Sequence, residues 1–449
     1  MKRIGIPSFL MMIGFVACLW LFCSKGPTIP ENALSRYLDN GDRSFSWEVK
    51  DSFDIGKSTA HRLLLISQTW REIIWKHQLI VLVPSENLYD GALLFISGGS
   101  NRNGEPKWSE PDDEFLQMMS QTAEKNNAVV SIINQVPNQP LFNDLYEDEI
   151  ISFTLHNYRH DKDFSWPLLF PMVKSAVRAM DAVQDFAKNQ LDHDIARFVV
   201  AGASKRGWTT WLTASQDPRV VAIGPMVIDV LNMPVQMDYQ VTTWGDYSPQ
   251  IEDYVKLGIP QDIHTEDGSE LTTMIDPYSY RSQLTVPKMI FIGTNDEYWP
   301  VDAVKHYFDE IPGDNSIHYV ANAGHDLGDG QQAVNALSAF FAETLQNVPH
   351  PECNWILTSS EDKVTLTVET DDKLVNARTW TAESQDRDFR DESWISVDVE
   401  EKENIQVELS FPQSGYKAFY MDLMYPHPNG GEYSKSTRMV VVNADSLFH

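Results

Sequence analysis

The sequence predicts an α/β fold with a mostly parallel sheet, helices on both faces and a lid insertion, followed by a small all-β domain. Three observations lead to this prediction. Short apolar runs alternate with helical stretches up to about residue 350, the alternation stops between about residues 231 and 285, and only segments with period-two alternation follow residue 351. We therefore expect a core domain over 27–350 that contains the lid, and a β-sandwich-like domain over 351–449.

The composition is that of a globular protein. The chain has 449 residues, of which 42% are hydrophobic and 11% aromatic, which is enough for two domains with their own cores. Asp and Glu number 64 against 35 Lys and Arg, so the formal net charge is −29. Because a surface of this sign repels phosphate backbones, we expect no nucleic-acid partner.

The first 26 residues predict a targeting segment. Lys2 and Arg3 precede an apolar run that extends from Ile4 to Phe22, the pattern of a signal peptide or a membrane anchor. We expect export to the periplasm or the exterior, and leave open whether the segment is cleaved, lipid-modified at a cysteine or retained. Beyond this segment only Cys353 remains, so the exported protein has no internal disulfide unless a leader cysteine stays attached.

Periodicity sets the expected order of elements in the core. Residues 31–54 are polar and mixed, and predict an irregular lead-in. The next two strands predict a hairpin because the link between them is short. The expected strands are 61–70, 75–84, 92–96, 128–133, 197–201, 220–229, 287–293 and 317–320, and the expected helices are 113–126, 167–190, one that begins near 301, and 331–345.

One strand-to-helix turn carries a candidate nucleophile. The β-branched run over 197–201 ends in Gly202 and Ala203, Ser204 follows, and apolar residues at helical spacing come next. Small residues suit a strained turn in which strand and helix approach closely. Gly207 stands one position later than in the usual G-x-S-x-G spelling. By itself the stretch therefore fits an ordinary strand-to-helix turn equally well.

Two later loops supply partners for this serine. Asp296 follows the strand over 287–293, and His325 follows the short strand after it. The order Ser204, Asp296, His325, each just after a sheet strand, is the order of the α/β-hydrolase catalytic triad. Capping or turn roles for Asp296 and His325 are the alternative, and the neighbouring Glu297 is a second candidate for the acid.

Backbone N–H groups near Ser204 are expected to hold an oxyanion. The first is that of Lys205, directly after the nucleophile. The second belongs to Gly99 or Ser100, in the loop Ser97-Gly98-Gly99-Ser100 that follows a buried strand. A plain glycine turn is the alternative for this loop. This chemistry needs no cofactor.

The lid segment is rich in aromatic and acidic residues. We expect Tyr239, Trp244 and Tyr247 to contact the substrate. Carboxylates far outnumber Lys and Arg in the lid, which favours a positively charged substrate unless the charge is only solvated surface. His156 and His160 stand four residues apart, but nothing completes a metal-binding set, so we expect no metal.

Six motifs are spread over most of the chain after the leader: Ser67-Gln68-Thr69-Trp70, Trp75 with His77, Trp166-Pro167, Pro171-Met172-Val173-Lys174, Arg178-Ala179-Met180-Asp181, and Gly202 through Trp211. Together they resemble the PhoPQ-activated pathogenicity-related family, which implies an α/β-hydrolase core but no particular substrate. The basic residue after the serine is also similar to that of glucuronoyl esterases, which implies that the Lys205 side chain helps to hold the oxyanion.

The expected function is that of an exported serine hydrolase. Ser204 attacks the carbonyl of an ester or amide, His325 transfers the proton, and Asp296 orients the imidazole. The expected substrate is a small molecule or a peptide. The alternative is a catalytically inactive hydrolase-fold protein that binds an envelope or host partner.

Overall fold

The computed structural model describes residues 26–370, 374–400 and 405–448. The expected leader, apart from its last residue, lies outside these ranges. Its predicted cleavage or lipid modification therefore also concerns residues outside the described part of the chain. Within the described ranges, no helix combines the length and the apolar character needed to cross a membrane.

Eleven strands lie before residue 350 in the described chain: β1 (Ser46–Ile55), β2 (Ser58–Trp70), β3 (Ile73–Pro84), β4 (Gly91–Ile96), β5 (Asn101–Arg102), β6 (Glu105–Pro106), β7 (Val130–Ile133), β8 (Arg197–Ala203), β9 (Val220–Met226), β10 (Lys288–Gly293) and β11 (Asn315–Val320). Nine of them form one sheet in the order β1-β2-β3-β7-β4-β8-β9-β10-β11. Neighbours from β7 to β11 are parallel, whereas β1, β2 and β3 are antiparallel to their neighbours.

Nine α-helices accompany the sheet in the described chain: α1 (Ala33–Leu38), α2 (Glu114–Asn126), α3 (Glu147–Asp161), α4 (Leu169–Gln190), α5 (Lys205–Gln216), α6 (Met233–Trp244), α7 (Glu252–Lys256), α8 (Glu266–Ile275) and α9 (Gln331–Gln346). The sheet separates two hydrophobic cores. Met119 of α2 and Phe340 of α9 belong to one, and Phe186 of α4 and Trp211 of α5 belong to the other. Helices therefore cover both faces.

The predicted fold class is confirmed. Parallel strands flanked by helices on both faces, with antiparallel strands at one edge, give the α/β-hydrolase arrangement. The carboxyl ends of the parallel strands meet at one edge of the sheet, which is where open α/β sheets place their ligand sites. The lid is built from α6, α7 and α8 with short 3₁₀ turns, and it lies between β9 and β10.

Two expectations about local structure are wrong. The lead-in over 31–54 is not irregular, because it contains α1 and most of β1. Strand β1 lies at the sheet edge with most of its side chains exposed, so it lacks the apolar alternation that identifies a strand. No α-helix begins near residue 301; two 3₁₀ helices, Ala303–His306 and Phe308–Glu310, stand there. Between them Tyr307 has φ −147°, and its buried hydroxyl reaches Asp229.

Nine strands and no helix follow residue 350 in the described chain: β12 (Cys353–Ser359), β13 (Lys363–Thr370), β14 (Asn376–Ser384), β15 (Ile395–Val399), β16 (Ile405–Ser410), β17 (Tyr416–Pro426), β18 (Glu432–Ser436), β19 (Val440–Asn443) and β20 (Leu447–Phe448). The all-β character is as predicted. Strands β12, β13 and β16 form a sheet of their own, but β18, β17, β14 and β15 continue the hydrolase sheet from β11, where Ile317 pairs with Ser436.

The expected β-sandwich is therefore not an isolated unit. Two layers are present, since Leu366 of β13 and Met421 of β17 are buried in one core. One layer belongs to the hydrolase sheet because β18 pairs with the edge strand β11, which would otherwise present unpaired backbone groups. The division of the chain into two domains at residue 350 stays a prediction.

Candidate active site

Ser204 lies on a strained turn between β8 and α5. Its φ of 59° and ψ of −129° fall in a region that residues with a side chain rarely adopt. Its N–H donates to the carbonyl of Met226 on the neighbouring strand at 2.8 Å, which helps to hold the turn. Backbone strain of this kind costs about 1–3 kcal/mol and is concentrated at functional sites.

The late glycine of this turn has a packing reason. A Cβ atom on Gly207 would stand 2.7 Å from Cγ2 of Ile228 and 2.9 Å from the carbonyl oxygens of Gly202 and Met226. A Cβ atom on Gly202 would stand 2.8 Å from the carbonyl oxygen of Arg206. Glycine is therefore needed where α5 crosses β8 and β9, and that crossing is at position 207 here.

Arg206 occupies the position that glycine has in the usual spelling, and its side chain connects three segments. Its guanidinium donates to both carboxylate oxygens of Glu147 at 2.7 Å and to the carbonyl of Val136 at 2.5 Å. It also passes over Gly98, where a Cβ atom would be 2.7 Å from Nη2. Burial alone would raise the pKa of Glu147, but Arg206 and Lys205 outweigh it and lower that pKa to about 2.

The side chains of Asp296 and His325 are directly bonded. Nδ1 of His325 lies 2.9 Å from Oδ2 and 3.1 Å from Oδ1 of Asp296, whose side chain is almost fully buried. Glu297 is bonded differently, because its Oε2 accepts the backbone N–H of His325 at 3.1 Å. The ring of Tyr298 packs on the imidazole, with centroids 4.1 Å apart. The geometry thus favours Asp296 over Glu297 as the partner of the imidazole.

Ser204 and His325 line the same pocket. Nε2 of His325 is buried and has no hydrogen-bond partner in the described ranges. It is therefore not hydrogen-bonded to Ser204 in this structure. Such bonds are often long before substrate binds. Nε2 is nevertheless the atom that a serine hydrolase needs as its base, and it belongs to a residue that lines the pocket with the serine.

The residues predicted for the oxyanion hole occupy different surroundings. Lys205 lines the pocket as the first residue of α5, where backbone N–H groups lack partners within the helix. Its Nζ is held at 2.9 Å by both Glu147 and Asp148. Gly99 has φ 113°, and neither it nor Ser100 lines the pocket of Ser204. Their share in an oxyanion hole stays a prediction.

The aromatic residues predicted to contact substrate do not line this pocket. The hydroxyl of Tyr239 is bonded to both carboxylate oxygens of Asp302, at 2.7 and 2.8 Å. The ring of Trp244 lies under the guanidinium of Arg390, and Tyr247 packs against the core. These three aromatic side chains thus pack the lid against residues outside it. Sequence reasoning missed the polar side chains that do line the pocket, which are Asp148, Tyr254 and Tyr298.

The acidic residues of the lid do not line this pocket either. Asp262 is paired with Arg159, and Asp267 and Glu270 are both paired with Lys162 at 2.6 Å. The expectation that lid charge selects a cationic substrate is therefore not supported by their positions. On α3 the Nε2 atoms of the histidine pair 156 and 160 lie 3.0 Å apart, and the described ranges hold no group of three or more His, Cys, Asp or Glu suited to a metal ion.

Comparison with known proteins assigns the family. A family model described as PhoPQ-activated pathogenicity-related protein matches residues 34–390. The chain belongs to this family. A relative of the chain from Dictyostelium discoideum, autocrine proliferation repressor protein A, is 29% identical over an alignment of 445 positions, which covers 90% of this chain and 88% of the relative.

Solved structures similar to this family member include two acetyl xylan esterases. One is acetyl xylan esterase 1 from Thermoanaerobacterium sp., with a TM-score of 0.49 and 17% identity, over 71% of this chain and 94% of that one. The other, from Paenibacillus sp., has a TM-score of 0.48 and 12% identity, over 70% of this chain and 93% of that one.

Proposed function

We propose that this protein is an exported serine hydrolase that cleaves an ester or amide through an acyl-enzyme. The observation that carries the proposal is the bond between Asp296 and Nδ1 of His325, with Nε2 buried and unpaired within the described ranges, in a residue that lines the same pocket as Ser204. A carboxylate in this position fixes the tautomer in which Nε2 accepts a proton. Export rests on the basic and apolar character of the first 26 residues.

The reaction follows from these three groups. As Oγ of Ser204 bonds to the substrate carbonyl carbon, its proton moves to Nε2 of His325. Asp296 stabilises the imidazolium that forms, and N–H groups at Lys205 and at Gly99 or Ser100 hold the oxyanion. The bond to the leaving group then breaks, and the leaving group takes the proton from His325. Water, activated by the same imidazole, releases the acid and restores Ser204.

A fluorophosphonate probe tests the proposal because it reacts with an activated serine. We expect the folded protein to be labelled at Ser204, as located by mass spectrometry, and Ser204→Ala and His325→Ala to take no label. Ser215→Ala is the matched control, since Ser215 lies on the same helix and bonds only to nearby groups on that helix. If folded protein takes no label at Ser204 from several small probes, the proposal is wrong.

The second candidate is a binding protein with a hydrolase fold and no activity. The relative from Dictyostelium is named as an autocrine proliferation repressor, which describes a signal and not a reaction. Absence of labelling favours this candidate. If the protein is labelled and also has a signalling effect, the Ser204→Ala variant shows whether that effect needs hydrolysis.

A further inference from the structure

The pocket beside Ser204 has a polar end and an apolar body. It has an empty volume of about 610 Å³, part of it open to solvent. Ser204, His325 and Tyr298 stand at the polar end, and the lid supplies most of the apolar side. The lid residues that form this side are Met233, Met237, Ile251, Ile259, Pro260 and Ile263.

The charges at the polar end are already balanced. Asp148 accepts from Nζ of Lys205 at 2.9 Å and from the hydroxyl of Tyr254 at 2.9 Å. Glu147 is shared by Lys205 and Arg206, so two carboxylates face two cations. A charged substrate group that entered the pocket would lose its hydration without gaining a free counter-charge, which is unfavourable in apolar surroundings.

The tyrosines of the lining also stay neutral. Burial raises the pKa of Tyr298, and together with the charges of nearby carboxylates, Asp148 first among them, it brings that pKa to about 12. Burial likewise raises the pKa of Tyr254 well above its ordinary value, with Asp148 adding to the effect. The polar groups that remain for reaction are thus those of Ser204 and His325.

We infer that this pocket holds the apolar acyl group of an ester. The inference rests on the proposed function and names its substrate class. The acyl group stays bonded to Ser204 after the alcohol has left, so an enclosed pocket under the lid suits this half of the substrate. Met233 and Met237 have flexible side chains that adapt to acyl groups of different shape. An acetyl group is too short to cover the apolar surface, and a cationic or anionic acyl group would place a charge against it. We therefore expect these acyl groups to be poorer substrates.

A series of 4-nitrophenyl esters with different acyl groups tests the inference. Each methylene buried contributes about 0.8 kcal/mol, or about fourfold in kcat/KM, so the values should rise roughly 15-fold for each two carbons from acetate to butyrate and hexanoate. Acyl groups that end in a carboxylate or an ammonium should react more slowly than the butyrate. Lengthening the alcohol of acetate esters should change kcat/KM far less.

Two variants locate the effect in the lid. Met237→Gln places an amide in the pocket wall and should reduce the gain per methylene, whereas Met237→Leu should keep it. Fluorophosphonate labelling at Ser204 is measured in parallel for every variant, so a protein that has lost its fold is recognised. Three results would show that the inference is wrong while the hydrolase proposal stands, provided that Ser204 is labelled. They are a kcat/KM that does not change with acyl length, a preference for the cationic acyl group, and a dependence on alcohol length alone. If Ser204 takes no label, both fail.

Discussion

The two neighbouring acids of the candidate site should behave very differently when each loses its charge. Asp296 contacts Nδ1 of His325 through both oxygens, so Asp296→Asn removes charge compensation and favours the wrong imidazole tautomer. In chymotrypsin-type triads this change lowers kcat about 10⁴-fold. The side chain of Glu297 accepts the backbone N–H of His325, and Glu297→Gln keeps an oxygen for that bond. Replacing a charged acceptor by a neutral one costs about 1 kcal/mol, or roughly fivefold.

The expected gap between the variants is therefore about 10³-fold in kcat. It is measured on a 4-nitrophenyl ester and, independently, as the rate of fluorophosphonate labelling. Asp296→Asn is a conservative change because the N–H of Tyr298, which donates to Oδ1 of Asp296 at 2.8 Å, can donate to the amide oxygen. Thermal unfolding of both variants checks that the fold is kept. Equal losses, or a larger loss for Glu297→Gln, would refute the assignment of Asp296 as the acid.

Two further predictions concern stability. Gly207→Ala should lower the free energy of unfolding by about 1–3 kcal/mol, as measured by urea unfolding, because the new methyl group meets Ile228 and two backbone carbonyls. Unchanged or higher stability would show that α5 can shift to make room for the methyl group. Burial raises the pKa of Asp229 from 3.8 to about 7, with the hydrogen bond from Tyr307 opposing this and the charge of Asp296 adding to it. The folded protein then keeps a proton that the unfolded chain has released, so its free energy of unfolding should fall by at most about 4 kcal/mol between pH 4 and pH 7. Asp229→Asn should remove this part of the decline, and an identical pH profile for both proteins would contradict the prediction.

The sequence predicted the sheet and the loops that carry Asp296 and His325 because both depend on local patterns. Buried parallel strands are continuous apolar runs, and β4 and β10 were found within a residue or two of their observed ends. The carboxyl ends of such strands meet at one edge, so residues that follow them come together in space. This is why Asp296 and His325 were placed from their positions in the chain alone.

The pocket itself was not predictable in the same way. Its lining combines the start of α3 with the lid, two segments that are about a hundred residues apart and carry no shared pattern. Asp148 was missed because its role depends on contact with Lys205 and Tyr254. Tyr239 is an aromatic residue of the lid, but aromatic rings in a lid can contact either the substrate or the rest of the protein, and only packing distinguishes the two roles.

The C-terminal part of the chain reaches the loops of the candidate triad through two asparagines. Nδ2 of Asn295, next to the predicted acid, donates to three carbonyls of the loop over 389–392, at 2.7 to 3.2 Å. Asn322, three residues before the predicted base, exchanges two hydrogen bonds with the backbone of Trp394, at 2.7 and 3.0 Å. The loops that carry Asp296 and His325 are thus both attached to a segment beyond residue 350.

These attachments predict that the connection between β14 and β15 positions the loops of Asp296 and His325, while the C-terminal strands extend the sheet. Asn295→Ala and Asn322→Ala leave backbone groups unpaired, which should lower the free energy of unfolding by about 1–3 kcal/mol each. Both variants should also lower kcat and the labelling rate of Ser204, with little change in KM. The reason is that a displacement of about 1 Å at a catalytic group lowers the rate by up to about 10²-fold. Asn335→Ala is the matched control, since Asn335 on α9 also bonds a C-terminal carbonyl, that of Glu432, without contacting either loop. It should lower the unfolding midpoint and leave kcat unchanged. If all three variants lose stability alike and keep full kcat, the C-terminal part supports the fold without positioning the candidate triad, and the prediction is wrong.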